Sequence, residues 1–167
     1  LTPILPTTTK NTLLINKALL TEYKQLATEL LARESAKDSL IDFVTYTKPD
    51  FEVNDHHYQI AAALEKVERG EIDRLMIFAP PRHTKSELSS RRFVAWHMGR
   101  NPTHQIISAT YSGELANMFG YDVRAVMQSQ EYANVFENVT LAPDSKAVGT
   151  WRTNHYGVYV SVGVGGA

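Results

Sequence analysis

The apolar run Leu75 to Ala79 ends in two prolines, and that junction constrains the chain more than any other stretch. A short, continuously apolar run of this kind predicts a buried parallel strand. Pro80-Pro81 stops it, because proline has no amide to give to a sheet ladder. Lys85-Ser86 follows and leads into a helix-forming segment predicted from Ser86 to His97, with Leu88, Ala95 and Trp96 on one face. A chain that goes from strand to tight turn to helix here is committed to an α/β arrangement.

Strand, loop, Lys-Ser, helix is also the order of a phosphate-binding loop. The amides that open such a helix point outward with a partial positive charge and hold phosphate oxygens. A lysine in the loop reaches the β- and γ-phosphates, and the next hydroxyl ligates Mg²⁺. Lys85 and Ser86 stand in those places. The usual pattern is G-x-x-x-x-G-K-[ST], and here Ala79 and Thr84 occupy the glycine positions. Glycine at the second position accepts backbone angles closed to a β-branched residue. An ordinary strand-to-helix turn with a surface lysine is the competing reading.

Pro80-Pro81-Arg82-His83-Thr84-Lys85-Ser86 resembles the variant phosphate loop of the large terminase subunits, the DNA-packaging motors of tailed bacteriophages and prophages. Phe51-Glu52-Val53 before His56-His57, and Gly70-Glu71-Ile72 before the strand, fit the same family. So do Ser89-Ser90-Arg91-Arg92-Phe93, Gly99-Arg100-Asn101-Pro102, Leu141-Ala142-Pro143-Asp144-Ser145 and the final Val162 to Ala167. The similarity runs from about Ser35 to the C-terminus. It implies a P-loop NTPase core of the ASCE (RecA-like) type, a parallel sheet flanked by helices and preceded by an N-terminal helical segment.

The resemblance also implies ATP and Mg²⁺ as ligands, bound by Pro81, Arg82, His83, Thr84, Lys85 and Ser86. Lys85 would neutralise the β/γ-phosphates and Ser86 would ligate Mg²⁺. Arg82, whose planar fork matches phosphate oxygens, would cap the γ-phosphate; a surface arginine without a ligand is its alternative. Tyr58-Gln59 resembles the element in which a glutamine reads the adenine edge, against a plain surface glutamine. His83 carries no assigned chemistry. The implied partners are double-stranded DNA, the portal protein and the small terminase subunit, with the full-length protein in a homo-oligomeric ring. Its place would be the host cytoplasm, transiently on the procapsid portal.

Two parts of such an ATPase are missing from the sequence. No apolar run ends in the pair of acids that hold the metal and activate water; Asp144 follows Leu141-Ala142-Pro143, and the proline spoils a strand. The resemblance places those acids just past Ala167 and the nuclease domain further on. The start at Leu1 and the glycine-rich end fit a piece of a longer protein. The expected organisation is a flexible lead-in over 1–12, a helical segment over 13–70 and the first part of the ATPase core over 71–167. A helicase-like P-loop ATPase, or a non-catalytic interaction domain with a degenerate loop, stay open beside the terminase reading.

Composition bounds the rest. At 167 residues the chain can bury a core of its own. It has no cysteine, so there is no disulfide framework and no thiolate metal site. That suits a reducing compartment. No apolar run approaches the roughly 20 residues of a membrane span. A net charge of −1 offers no bulk support for nucleic-acid binding, so a DNA contact would need a local patch.

Outside the loop the expectations are structural. Leu19, Tyr23, Leu26 and Leu30 predict a helix from Leu13 to about Arg33, packing on its own domain or docking a partner. Ser35-x-x-Asp38 reads as a helix start before Leu40, Phe43, Val44 and Tyr46, which end at Lys48-Pro49. Asn54 or Asp55 caps the next helix, with Ile60, Leu64 and Val67 inward and Gly70 at its end. A metal at His56-His57 is rejected, because helix neighbours diverge by about 100°. Arg91-Arg92 reads as a solvated basic face, or else a phosphate or DNA path. Gln105 to Thr110 is a second strand, and Ser112 caps a helix with Leu115, Phe119, Val123 and Val126 inward. Asn138 to Arg152 is loop-like with Trp151 a core anchor, and Tyr156 to Val164 is a strand or hairpin arm.

Overall fold

The computed structural model describes residues 8–145, 147 and 149–164, with side chains from Leu14 onward. It divides into two compact units, residues 1–32 and 33–167. Helix α1 (Thr8–Asp38) covers 8–12 of the predicted lead-in, whose residues 1–7 lie outside the described residues. Leu19, Tyr23, Leu26 and Leu30 do follow helical spacing, but all four are solvent-exposed rather than buried. Spacing alone sets a face, and it does not supply a surface to cover it.

The second unit carries the core. Helix α2 (Leu40–Thr47) buries Leu40, Phe43 and Val44. Its start corrects the sequence reading. Ser39, not Ser35, is the N-cap, accepting the Asp42 amide at 3.3 Å. The Ser-x-x-Asp pattern occurs twice in register, and Ser35 lies within α1, where its hydroxyl bonds to the Asp42 carboxylate. Helix α3 (Asp55–Glu68) follows the N-cap Asn54, buries Leu64, and ends before Gly70, whose φ of 70° favours a residue without Cβ.

Leu75 to Ala79 joins no sheet among the described residues, which corrects the expected central strand. Its side chains alternate as a strand's do: Leu75 and Ile77 pack on the core, while Met76 and Phe78 are 81% and 90% exposed. The run thus has two apolar faces, of which one is covered. A π-helical turn (Glu87–Arg92) and α4 (Phe93–Arg100) follow, burying Leu88, Ala95, Trp96 and Met98. The predicted helix there is thus split by a wider turn, and both parts keep the expected inward face.

The sheet is small and mixed. β1 (Gln105–Thr110) lies parallel to β3 (Val158–Gly163), and β3 is antiparallel to β2 (Thr150–Arg152), in the order β1-β3-β2. Helix α5 (Gly113–Met127), capped by Ser112, connects onward from β1 and packs on β1 and β3 with Phe119, Val123 and Val126 buried. Helix α6 (Gln130–Val135) was not expected; its apolar contribution is only Tyr132 and Val135, too little to register as periodicity. The tail of the expected loop over Asn138–Arg152 is strand β2, whose Trp151 stacks on its cross-strand partner Tyr159 at 4.7 Å. The fold is therefore mixed α/β, with one parallel strand pair.

Candidate functional site

The turn from Pro81 to Lys85 has an unusual backbone. Arg82 and Thr84 both sit in the left-handed region, at φ 64° and φ 50°. For non-glycine residues that conformation is uncommon, and for a β-branched threonine it is a marked outlier costing on the order of 1–3 kcal/mol. Thr84 thus adopts the angle that the loop's missing glycine would supply. Such strain persists only where surrounding contacts hold it, and it clusters at ligand-binding turns.

The result is a concave turn with open donors. Among the described residues, the amides of Arg82, Thr84, Lys85 and Ser86 have no backbone acceptor, while Pro81 and Arg82 form a hydrogen-bonded turn that engages the His83 amide. Lys85 makes no ion pair among the described residues and is half-buried beside the loop. Pro81, Arg82, His83, Thr84, Lys85 and Ser86 line one groove of about 440 Å³, together with Glu87 and Arg91. Successive outward amides and a free ammonium make an anion-binding concavity. The donor set therefore fits a polyphosphate, and the Ser86 hydroxyl at the helix start fits one Mg²⁺ ligand position.

Gln59 does not line that groove. It lies next door, in a groove of about 320 Å³ that also includes His56, Met76, Phe78, Pro80 and His83. His83 and Pro80 border both, so the two hollows meet at the loop.

Arg91 and Arg92 are not a solvated basic face. Arg91 Nε donates to Asp122 at 2.5 Å, and its guanidinium lies 4.8 Å from the centre of the Phe119 ring. Arg92 Nε donates to Glu87 at 2.9 Å, and its Nη1 to the Thr47 hydroxyl at 2.9 Å. These bonds tie the helix start to α2 and α5. Glu87 is the groove's carboxylate, and both its oxygens face arginines, Arg92 at 2.9 Å and Arg91 at 3.4 Å. It is an acceptor in an ion-pair network, ill placed to take a proton from water.

His56 and His57 do not diverge as helix geometry suggests; their rings approach to 3.8 Å between centres. His57 is 2% exposed. Its Nδ1 accepts the Asn54 amide at 3.0 Å, which places the ring proton on Nε2, 2.5 Å from the Thr84 hydroxyl. Sequence reasoning missed this residue as part of the site. A histidine three residues after the N-cap Asn54, where a capping box would carry Glu or Gln, was the available signal.

Burial, and then the neighbouring His56, holds His57 below the ordinary imidazole value of 6.5. Burial and then His104 do the same to His97. Glu68 is pushed up by burial, but hydrogen bonds from Arg100 and Asn101 outweigh that and leave it below 4.5. The signs agree. Both histidines bind protons less readily folded than unfolded, so their stabilisation is complete above pH 6.5 and falls as pH drops through the lower folded values. Glu68 adds a second loss below pH 4.5. Urea unfolding across pH 4 to 8 should therefore show stability decreasing on acidification in two steps; a flat profile from 7 to 5 would contradict the histidine assignments.

Compared with known proteins, the chain matches no family model, no curated protein and no solved structure. Among the described residues, no helix is long and apolar enough to cross a membrane.

Proposed function

We propose that the chain binds ATP at the Arg82–Ser86 turn and is the ATPase motor region of a terminase large subunit. The observation that carries this reading is the turn itself: two left-handed residues and, among the described residues, amides without backbone acceptors and a lysine without an ion pair in one groove. On this reading Lys85 neutralises the β/γ-phosphates, Arg82 caps the γ-phosphate and the Ser86 hydroxyl is a Mg²⁺ ligand. Mg²⁺ would supply charge to offset that of the phosphates. The loop amides would orient the chain of phosphates, and Gln59, which lines the adjoining hollow, would read the base edge. The family resemblance extends this to double-stranded DNA, the portal protein, the small terminase subunit and a ring in which a neighbour contributes an arginine.

A second reading, a non-catalytic interaction domain with a degenerate loop, is favoured by one observation: the groove's carboxylate, Glu87, is held by two arginines. Equilibrium titration with labelled ATP and Mg²⁺ separates the two. The motor reading expects saturable, Mg²⁺-dependent binding, with slow turnover by this chain alone because no free acid among the described residues lines the groove. Absence of binding supports the degenerate loop, and rapid turnover would contradict the assignment of Glu87.

A further inference from the structure

We propose that His57 is a positioning residue for the phosphate-binding turn, and that His57 and Thr84 together replace the glycine which such a turn ordinarily requires. This rests on the proposed ATP site and names what shapes it. A glycine reaches the left-handed region because nothing obstructs it. Thr84 has a Cβ and a branch, so it needs an outside hold. His57 Nε2 supplies that hold at the Thr84 hydroxyl, 2.5 Å away and 27 residues back in sequence.

The hold is directional because the ring is itself fixed. The Asn54 amide occupies Nδ1 at 3.0 Å, and the Phe51 ring lies 4.9 Å from the imidazole, centre to centre. His57 is therefore anchored to the start of α3 on one edge and grips the loop with the other. With Thr84 pinned through its side chain, its backbone amide and those of its neighbours are left facing the groove. The π-helical turn that follows has its own anchors at Thr47 and Asp122, so Thr84 is the point where the loop most needs support.

The arrangement requires neutral His57. A proton on Nδ1 would set two donors face to face at Asn54. The charged and titratable groups around the ring are His56 on the same helix, His83 on the loop, and Lys48, Asp50, Glu52 and Arg82 along the shared groove. Burial and His56 favour the neutral ring.

The test is a double-mutant cycle on the whole chain, with Mg²⁺-ATP affinity as one readout and imidazole nitrogen shifts of His57 as the other. His57→Leu in the natural background is expected to weaken binding about tenfold, within the range for coupled residues in contact. In the Thr84→Gly background the same change is expected to alter affinity less than about twofold, since glycine needs no hold. Equal losses in both backgrounds would overturn the proposal and leave His57 a plain structural residue. The spectroscopic arm needs no nucleotide and no His57 variant. It should show the Nε2-protonated tautomer in the natural chain and a changed Nε2 shift in Thr84→Val. An Nδ1-protonated ring, or indifference to Thr84→Val, overturns the proposal. Failure of the natural chain to bind ATP would sink the phosphate-site reading, while the nitrogen shifts still decide whether His57 holds Thr84.

Discussion

Replacing Lys85 by alanine is expected to weaken Mg²⁺-ATP binding by about a hundredfold while leaving the fold intact. The size follows from losing a charge-assisted contact of roughly 3 kcal/mol, at 1.4 kcal/mol per factor of ten. The fold should survive because the Lys85 ammonium has no protein ion-pair partner among the described residues; its backbone carbonyl, which accepts from Ser89, is unaffected by the change. Lys85→Arg is expected to bind poorly as well, since a planar guanidinium is bulkier than the ammonium it replaces. Titration with labelled nucleotide measures both. Equal affinity in the natural chain and Lys85→Ala would mean that the lysine is a surface residue and the turn has no phosphate to meet.

The largest expected effect on stability is at Trp96. It is 1% exposed, its Nε1 donates to the Ala36 carbonyl at 3.1 Å, and the Arg100 guanidinium lies 4.9 Å from its ring centre. Arg100 in turn bonds the Lys37 carbonyl, Asp38 and Glu68. One side chain thus joins the end of α1 to α4, beside the arginine that reaches α3. Trp96→Ala should cost about 4 kcal/mol, from the lost burial, the cavity and an orphaned carbonyl. That is a large part of the 5–15 kcal/mol typical of a domain. Denaturant unfolding measures it, and a loss below about 1 kcal/mol would show that the site collapses around the gap. α4 continues the helix that opens at the proposed phosphate-binding turn, so on that reading a chain without this anchor should also lose nucleotide affinity.

Local chemistry was legible in the sequence; long-range support was not. β1 and α5 lie where the Gln105 to Thr110 run and the Ser112 cap place them, because those signals are complete within a few residues. Order pointed to Lys85 and Ser86, the family resemblance added Pro81 to Thr84, and the structure lines one groove with all six. Leu75 to Ala79 was misread as buried on both faces because a continuous apolar run does not say how many faces are covered. Thr84 looked like an obstacle since its partner is 27 residues away, and no local pattern links a threonine to a distant histidine. Arg91 looked solvated for the same reason, with Asp122 31 residues on. Side-chain bonds of this span belong to the tertiary fold, and they decide both the shape of the turn and the fate of its charges.

The central claim is that the Arg82–Ser86 amides are the ligand-facing part of this protein. Backbone amide shifts recorded during a Mg²⁺-ATP titration test it most directly. The account predicts the largest changes at Arg82, His83, Thr84, Lys85 and Ser86, saturating together with Gln59 close behind. Saturable shifts centred elsewhere, or none at those amides at millimolar nucleotide, would contradict it.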